Sequence, residues 1–172
     1  MKNNSEIYRA NKLNLLLAAF ILLAINLGCS FSGGNFAETN GPKPDMPSTE
    51  QQNVLVKETL KEFTKGIESG DFSSLRANSS KEFQSAVSAE NLKKGFQSII
   101  DKKDSLVPIL KSADSKTPQF SNTPEVKQNG AYTTQYSLIF PVDKLNPKFD
   151  LIYIWQDSEW KLLSIEVKFN SQ

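Results

Sequence analysis

The sequence predicts an α+β domain in which helices come first and pack on one face of an antiparallel sheet. Three observations point there. Apolar residues recur at helical spacing between positions 56 and 100. After Lys116 they alternate with period two. Gly, Pro and Asn then divide the second half into hairpin-sized pieces. Helices grouped ahead of strands, rather than alternating with them, bury their stripes against one side of a meander.

Val56, Leu60, Phe63 and Ile67 make one apolar stripe, while Lys57, Glu58, Lys61, Glu62 and Lys65 occupy the opposite side. The helix is expected to begin at Glu50 and stop at Gly70, a residue suited to a left-handed cap. Asp71 is expected to cap a short second helix carrying Phe72, Leu75 and Phe83. Ser88 has the character of an N-cap, and Glu90 in the first turn complements the positive helix end. Leu92, Phe96, Ile99 and Ile100 form the stripe of that third helix. Pro108 interrupts Leu106–Leu110, which reads as a turn or short helix.

Residues 117–127 read as an edge or bent strand because prolines punctuate them. Asn129-Gly130 is a hairpin signal. Tyr132, Thr134, Tyr136, Leu138 and Phe140 then take one face of a strand. A loop with Pro141, Asn146 and Pro147 follows. Phe149–Trp155 is apolar at nearly every position, as in a strand covered on both faces. Asp157-Ser158-Glu159 makes a turn, and Leu163, Ile165, Val167 and Phe169 are expected to face inward from the last strand.

Composition excludes more than it assigns. The chain has 172 residues, 38% apolar and 23% charged, and no histidine. That removes the commonest general base and the commonest transition-metal ligand, so no metal and no cofactor is expected. The 20 basic and 19 acidic residues fall to 17 and 18 once Lys2, Arg9, Lys12 and Glu6 are set aside with residues 1–28. A chain this close to neutral has no field to draw in nucleic acid, which is excluded as a partner. The single cysteine, Cys29, permits no internal disulfide.

Residues 1–12 are polar and basic, and 13–25 form an apolar run interrupted only by Asn14. Asn26-Leu27-Gly28-Cys29 follows. A basic start, an apolar run and a small residue before a cleavage point is the layout of an export signal. A helix over 13–27 would rise roughly 22 Å, short of the about 30 Å hydrocarbon core, so a transmembrane anchor fits less well. Residues 30–49 contain Gly33, Gly34, Gly41, Pro42, Pro44 and Pro47 and few apolar side chains. They read as a flexible tether with a typical end-to-end distance of about 25 Å. The expected organisation is therefore 1–28 signal, 29–49 tether, and 50–172 a single domain.

The Leu27-Gly28-Cys29 sequence resembles the lipobox of bacterial lipoproteins, with Gly28 and Cys29 at the cleavage and acylation positions. Asn26 stands where that family has Leu. The resemblance implies cleavage before Cys29 and lipid on its thiol, which would hold the chain on a membrane of the cell envelope. Ser30 after the cysteine implies the outer membrane, facing the periplasm or the surface, over the inner one. The alternative is an ordinary signal with a chance cysteine.

Two segments carry a second resemblance: Glu62-Phe63-Thr64-Lys65-Gly66-Ile67-Glu68-Ser69-Gly70-Asp71-Phe72 and Trp160-Lys161-Leu162-Leu163-Ser164-Ile165-Glu166-Val167. A helix ending in Gly-Asp, further helices, and a last strand opened by Trp-Lys are similar to the nuclear transport factor 2-like superfamily. That fold is a cone of curved antiparallel sheet with helices in front. It hosts many unrelated functions.

Three readings of function follow. The first is a non-enzymatic, lipid-tethered envelope module that binds a small apolar ligand or a partner protein, with Phe63, Phe96, Tyr136, Leu138 and Trp155 as pocket residues. The second is an isomerase- or dehydratase-type enzyme, in which the resemblance implies proton chemistry by Tyr136 or Tyr153 with Asp150. Tyr132 and Asp143 are lesser candidates, and packing is the stronger explanation of the tyrosines. The third is a structural lipoprotein that pairs with itself through Ile139, Ile152 and Ile154 on the outer sheet face. Trp155 and Trp160 are expected to pack at one end of the sheet rather than to bind a ligand. Lys93-Lys94 and Lys102-Lys103 are read as solvated faces.

Overall fold

The computed structural model describes residues 42–142 and 145–171. Gly28, Cys29, the apolar run before them and Asp143 lie outside the described residues. Among these residues helices precede strands: α1 (Thr49–Ser69), α2 (Ser73–Ala77), α3 (Lys81–Ala86), α4 (Ala89–Gly95), α5 (Gln97–Ile100) and α6 (Lys103–Asp114). The strands are β1 (Gln119–Phe120), β2 (Lys127–Asn129), β3 (Ala131–Ile139), β4 (Leu145–Gln156) and β5 (Glu159–Ser171). This is an α+β fold with an open antiparallel sheet.

A reciprocal cap starts α1. The Ser48 hydroxyl accepts from the Gln51 N–H at 3.3 Å, and the Gln51 side chain accepts from the Ser48 N–H at 2.8 Å. The ordered body extends upstream of position 50, because Pro44 is buried and Met46 packs against the core. Gly70 ends the helix at φ 72°, its N–H donating to the Gly66 carbonyl at 2.8 Å. Asp71 accepts from the Ser73 N–H at 2.9 Å, which sets the first turn of α2. Phe83 was expected on that same helix. It belongs instead to α3, which Ser80 caps by accepting from the Phe83 N–H at 3.1 Å.

The expected third helix is divided into α4 and α5 at Phe96, next to Gly95, a weak helix former. The turn or short helix expected around Pro108 is a twelve-residue helix, α6. An internal proline costs about 3 kcal/mol. Burial of Leu106, Val107, Leu110 and Ala113 on one side offsets it at roughly 1.5–3 kcal/mol per large side chain. Pro108 itself is on the exposed side of α6, where water can satisfy the carbonyl that its ring leaves without a donor.

The sheet order is β1-β3-β4-β5, with β2 also on β3. The Pro-punctuated stretch thus contributes two short pieces to one edge. Between them Asn122 acts as a strand would. Its side-chain oxygen accepts from the Ser137 N–H at 2.8 Å, and its amide donates to the Gln135 carbonyl at 2.9 Å. β3 follows the expected alternation, with Tyr132, Thr134, Tyr136 and Leu138 buried on one face. β4 begins earlier than expected and contains Pro147, whose carbonyl accepts from the Phe140 N–H at 3.0 Å. Its missing donor falls just past the end of β3, where no ladder bond is lost.

Two inward-facing expectations are corrected. Helices cover only one face of β4, so Phe149, Leu151 and Tyr153 are buried while Asp150 and Ile152 stay half-buried on the other side. In β5, Leu162 rather than Leu163 is buried. Ile152 pairs with Ser164 and Tyr153 with Leu162, so Leu163 is the extra residue of a bulge that shifts the phase.

Phe63 joins the layers. Its ring meets Phe96 edge-on at 5.0 Å, Phe72 at 6.3 Å and Phe149 of β4 at 5.7 Å. Phe72 reaches that cluster because residue 66 has no side chain. A Cβ at Gly66 would lie 2.5 Å from the Phe72 ring. Gly66→Ala gains about 1 kcal/mol of helix propensity, while overpacking costs about 1–3 kcal/mol. A net destabilisation of up to about 2 kcal/mol is expected. Urea unfolding should show it as a lower midpoint at unchanged m-value.

Candidate functional site

Tyr153 and Tyr136 lie inside, on neighbouring strands, with their rings 5.5 Å apart. The Tyr153 hydroxyl is 2.7 Å from the Thr59 hydroxyl and donates to the Leu55 carbonyl at 3.4 Å. With the phenol proton on Leu55, the Thr59 hydroxyl, itself 3.2 Å from that carbonyl, donates to the Tyr153 oxygen, so the phenol is fastened to α1. The Tyr136 hydroxyl is buried and has no hydrogen-bond partner of good geometry among the described residues. Burial pushes the Tyr136 phenol up to about 12 and the Tyr153 phenol well above its ordinary value. Both are held neutral, which suits packing groups and makes poor proton donors and acceptors near pH 7.

Asp150 does not join them. It pairs with Ser137 and Glu166 across the sheet, on the face away from the helices. Its carboxylate is 3.4 Å from the Lys148 ammonium. Residues three apart in a strand point to opposite faces, so the sheet itself separates Asp150 from Tyr153. The carboxylate–phenol pair that proton chemistry needs is absent at these positions. Among the described residues no group of three or more acidic or cysteine side chains is placed to hold a metal. No helix there is long and apolar enough to cross a membrane.

The five residues expected to line a pocket divide. Phe63, Phe96, Tyr136 and Leu138 are at most 1% exposed and pack against other core side chains. None of them lines the grooves described below. Trp155 does line one. Trp155 and Trp160 face each other across the β4–β5 hairpin, half-buried, with ring centroids 5.4 Å apart. The hairpin turns through Asp157 and Ser158 at φ 53° and 65°, the left-handed conformation that a two-residue turn of this hand requires.

The groove has a volume of about 1400 Å³. Its lining comes from the hairpin and Tyr132 at the start of β3, from residues 42–47, from Gln51, Leu55 and Glu58 of α1, and from Lys81 and Glu82 of α3. Gln52 holds the 42–47 strap by donating to the Pro47 carbonyl at 2.7 Å. The Thr134 hydroxyl lies 3.8 Å from the Met46 sulfur. On the hairpin side, Lys81 pairs with Asp157 at 2.8 Å, and Gln156 donates to Glu82 at 3.1 Å. The prolines of the strap read as linker in isolation, so its part in a wall was missed. The spacing of Trp155 and Trp160 about a two-residue turn was the signal that they share a face.

The outer face of the sheet is not the apolar patch expected of Ile139, Ile152 and Ile154. Ile154 is 2% exposed, and the other two are half-buried among Lys148, Asp150, Glu166 and Lys168. The Lys168–Glu166 pair at 2.6 Å adds charge to that face. No protein-family model, curated protein or solved structure matches this chain.

The buried phenols predict an alkaline weakness. Each has a folded-state pKa raised above its unfolded value, so its contribution is intact below about pH 10 and fades above it. Between about pH 10 and 12 stability should fall with pH, by at most about 1.4 kcal/mol per pH unit for each phenol. In Tyr153→Phe the slope should fall to about half. Denaturant midpoints measured across that range report it.

Proposed function

We propose that this is a lipid-anchored protein of the bacterial cell envelope, without catalytic activity, that binds a partner in the groove beside Trp155 and Trp160. The observation that carries this reading is the groove itself: wide, open, and faced by both tryptophans of the chain. The interior beneath it is packed with aromatic rings, which leaves the mouth as the place for a ligand. The separation of Asp150 from Tyr136 and Tyr153 weighs against the isomerase- or dehydratase-type alternative.

The anchor in this proposal is lipid on Cys29 after cleavage behind Gly28. Two or three acyl chains, at about 0.8 kcal/mol per buried methylene, hold a soluble domain on a bilayer. Ser30 favours the outer membrane, facing the periplasm or surface. The order of elements, the Gly70-Asp71-Phe72 turn after α1 and Trp160 at the head of β5 support a nuclear transport factor 2-like cone.

Cys29→Ser tests the anchor. The unaltered chain should incorporate labelled palmitate and pellet with membranes. The variant should lose the label and keep its precursor mass. An unaltered chain that takes up no label, or a variant that still incorporates it, would overturn the lipid attachment.

A further inference from the structure

The charges around the groove say what kind of partner it takes. Asp45, Glu58, Glu82, Asp157 and Glu159 line it against only Lys43 and Lys81. The chain as a whole is balanced, with 20 basic and 19 acidic residues, so this excess is local. Asp157 is neutralised by Lys81, and Glu159 is paired with Lys161. Asp45 and Glu58 are exposed and have no ion-pair partner among the described residues. Both line the groove together with the tryptophans, and Glu58 and Trp160 also border an adjoining depression together. A cation among them would meet carboxylates and indole faces, two attractions of the same sign.

Size and surroundings choose the form of that cation. At about 1400 Å³ the groove exceeds the roughly 300–1000 Å³ usual for small-molecule sites. It is continuous, through Gln51, Leu55 and Glu58, with a shallower depression that contains Glu50 and Val54. Val54, at 51% exposure, is the one large apolar side chain left exposed among the described residues. A surface that alternates carboxylates with apolar side chains complements an extended strand carrying Arg or Lys between apolar residues.

We infer that the groove is a docking site for an extended polypeptide segment bearing arginine or lysine, with a cationic side chain held between Glu58 and the Trp155–Trp160 pair. This rests on the binding reading above and names the class of ligand. An anionic lipid surface would be repelled by the same carboxylates.

Both tryptophans of the chain line the groove, Trp160 bordering an adjoining depression as well, so indole emission reports on binding at this end of the sheet. The full chain in neutral detergent is titrated with a hexapeptide alternating arginine and valine, and separately with one alternating glutamate and valine. Saturable change is expected with the arginine peptide only, weakening at least fivefold between 50 and 300 mM salt by about the Debye-length change. Asp45→Asn with Glu58→Gln should weaken binding about tenfold, while Glu90→Gln, on an exposed helix elsewhere, leaves it unchanged. Both sets are surface exchanges, and far-UV circular dichroism checks the fold. Equal response to the two peptides, or none to the arginine peptide, overturns the cationic assignment. An uncharged apolar dye that still shifts the emission would then leave the groove as a binding site. No response to dye or peptides would remove both readings.

Discussion

The edge-to-face stack around Phe63 is the contact on which the rest of the fold depends. α1 carries the ring, α2 is entered through Phe72, α4 and α5 meet at Phe96, and β4 presents Phe149. One side chain therefore touches three separate parts of the chain, and only the contact with Phe72 is local in sequence. The glycine at position 66 is part of the same contact, since it gives the Phe72 ring its space. Aromatic rings set in this way fill volume in a fixed geometry, which explains why the middle of the domain is closed and a broad recess lies at the end of the sheet.

The sheet decides which chemistry can come together. Its pleat puts Tyr136, Leu151 and Tyr153 under the helices and Asp150, Glu166 and Lys168 on the far side. The bulge at Leu163 lets the last strand keep Ile165, Val167 and Phe169 inside while it still brings Leu162 and Trp160 onto the same side as Tyr153 and Trp155. Without that extra residue either the lower core or the aromatic mouth would be out of phase. The recess and the closed interior are thus two products of one register.

Periodicity alone disclosed much of this. The stripe Val56, Leu60, Phe63, Ile67 and the alternation from Tyr132 to Phe140 are long enough for one period to win. Where the pattern misled, a nonlocal term decided. Pro108 argues against a helix locally, but Leu106, Leu110 and Ala113 have a core to enter. Leu162 and Leu163 suit either phase of a strand, and only the pairing with Tyr153 chooses between them. Ser48 and Gln51 do carry a capping signature, obscured by the prolines before them. For the site, the three-residue step from Asp150 to Tyr153 already implied opposite faces. The acidic recess had no such signal, because its walls come from positions 42–58, 81–82 and 131–160.

The Asn122 side chain has a consequence for the company this protein keeps. An open strand edge is a template on which a second molecule can extend the ladder, and sheet proteins at high local density are prone to such growth into fibrils. Here the middle of β3 is occupied by an amide that imitates a backbone but offers nothing beyond itself, since a side chain has no next residue to pass the pairing on. Ser121 completes the stop by bonding the Ser137 carbonyl with both its N–H and its hydroxyl. Molecules crowded side by side would meet a terminated ladder along the β3 edge.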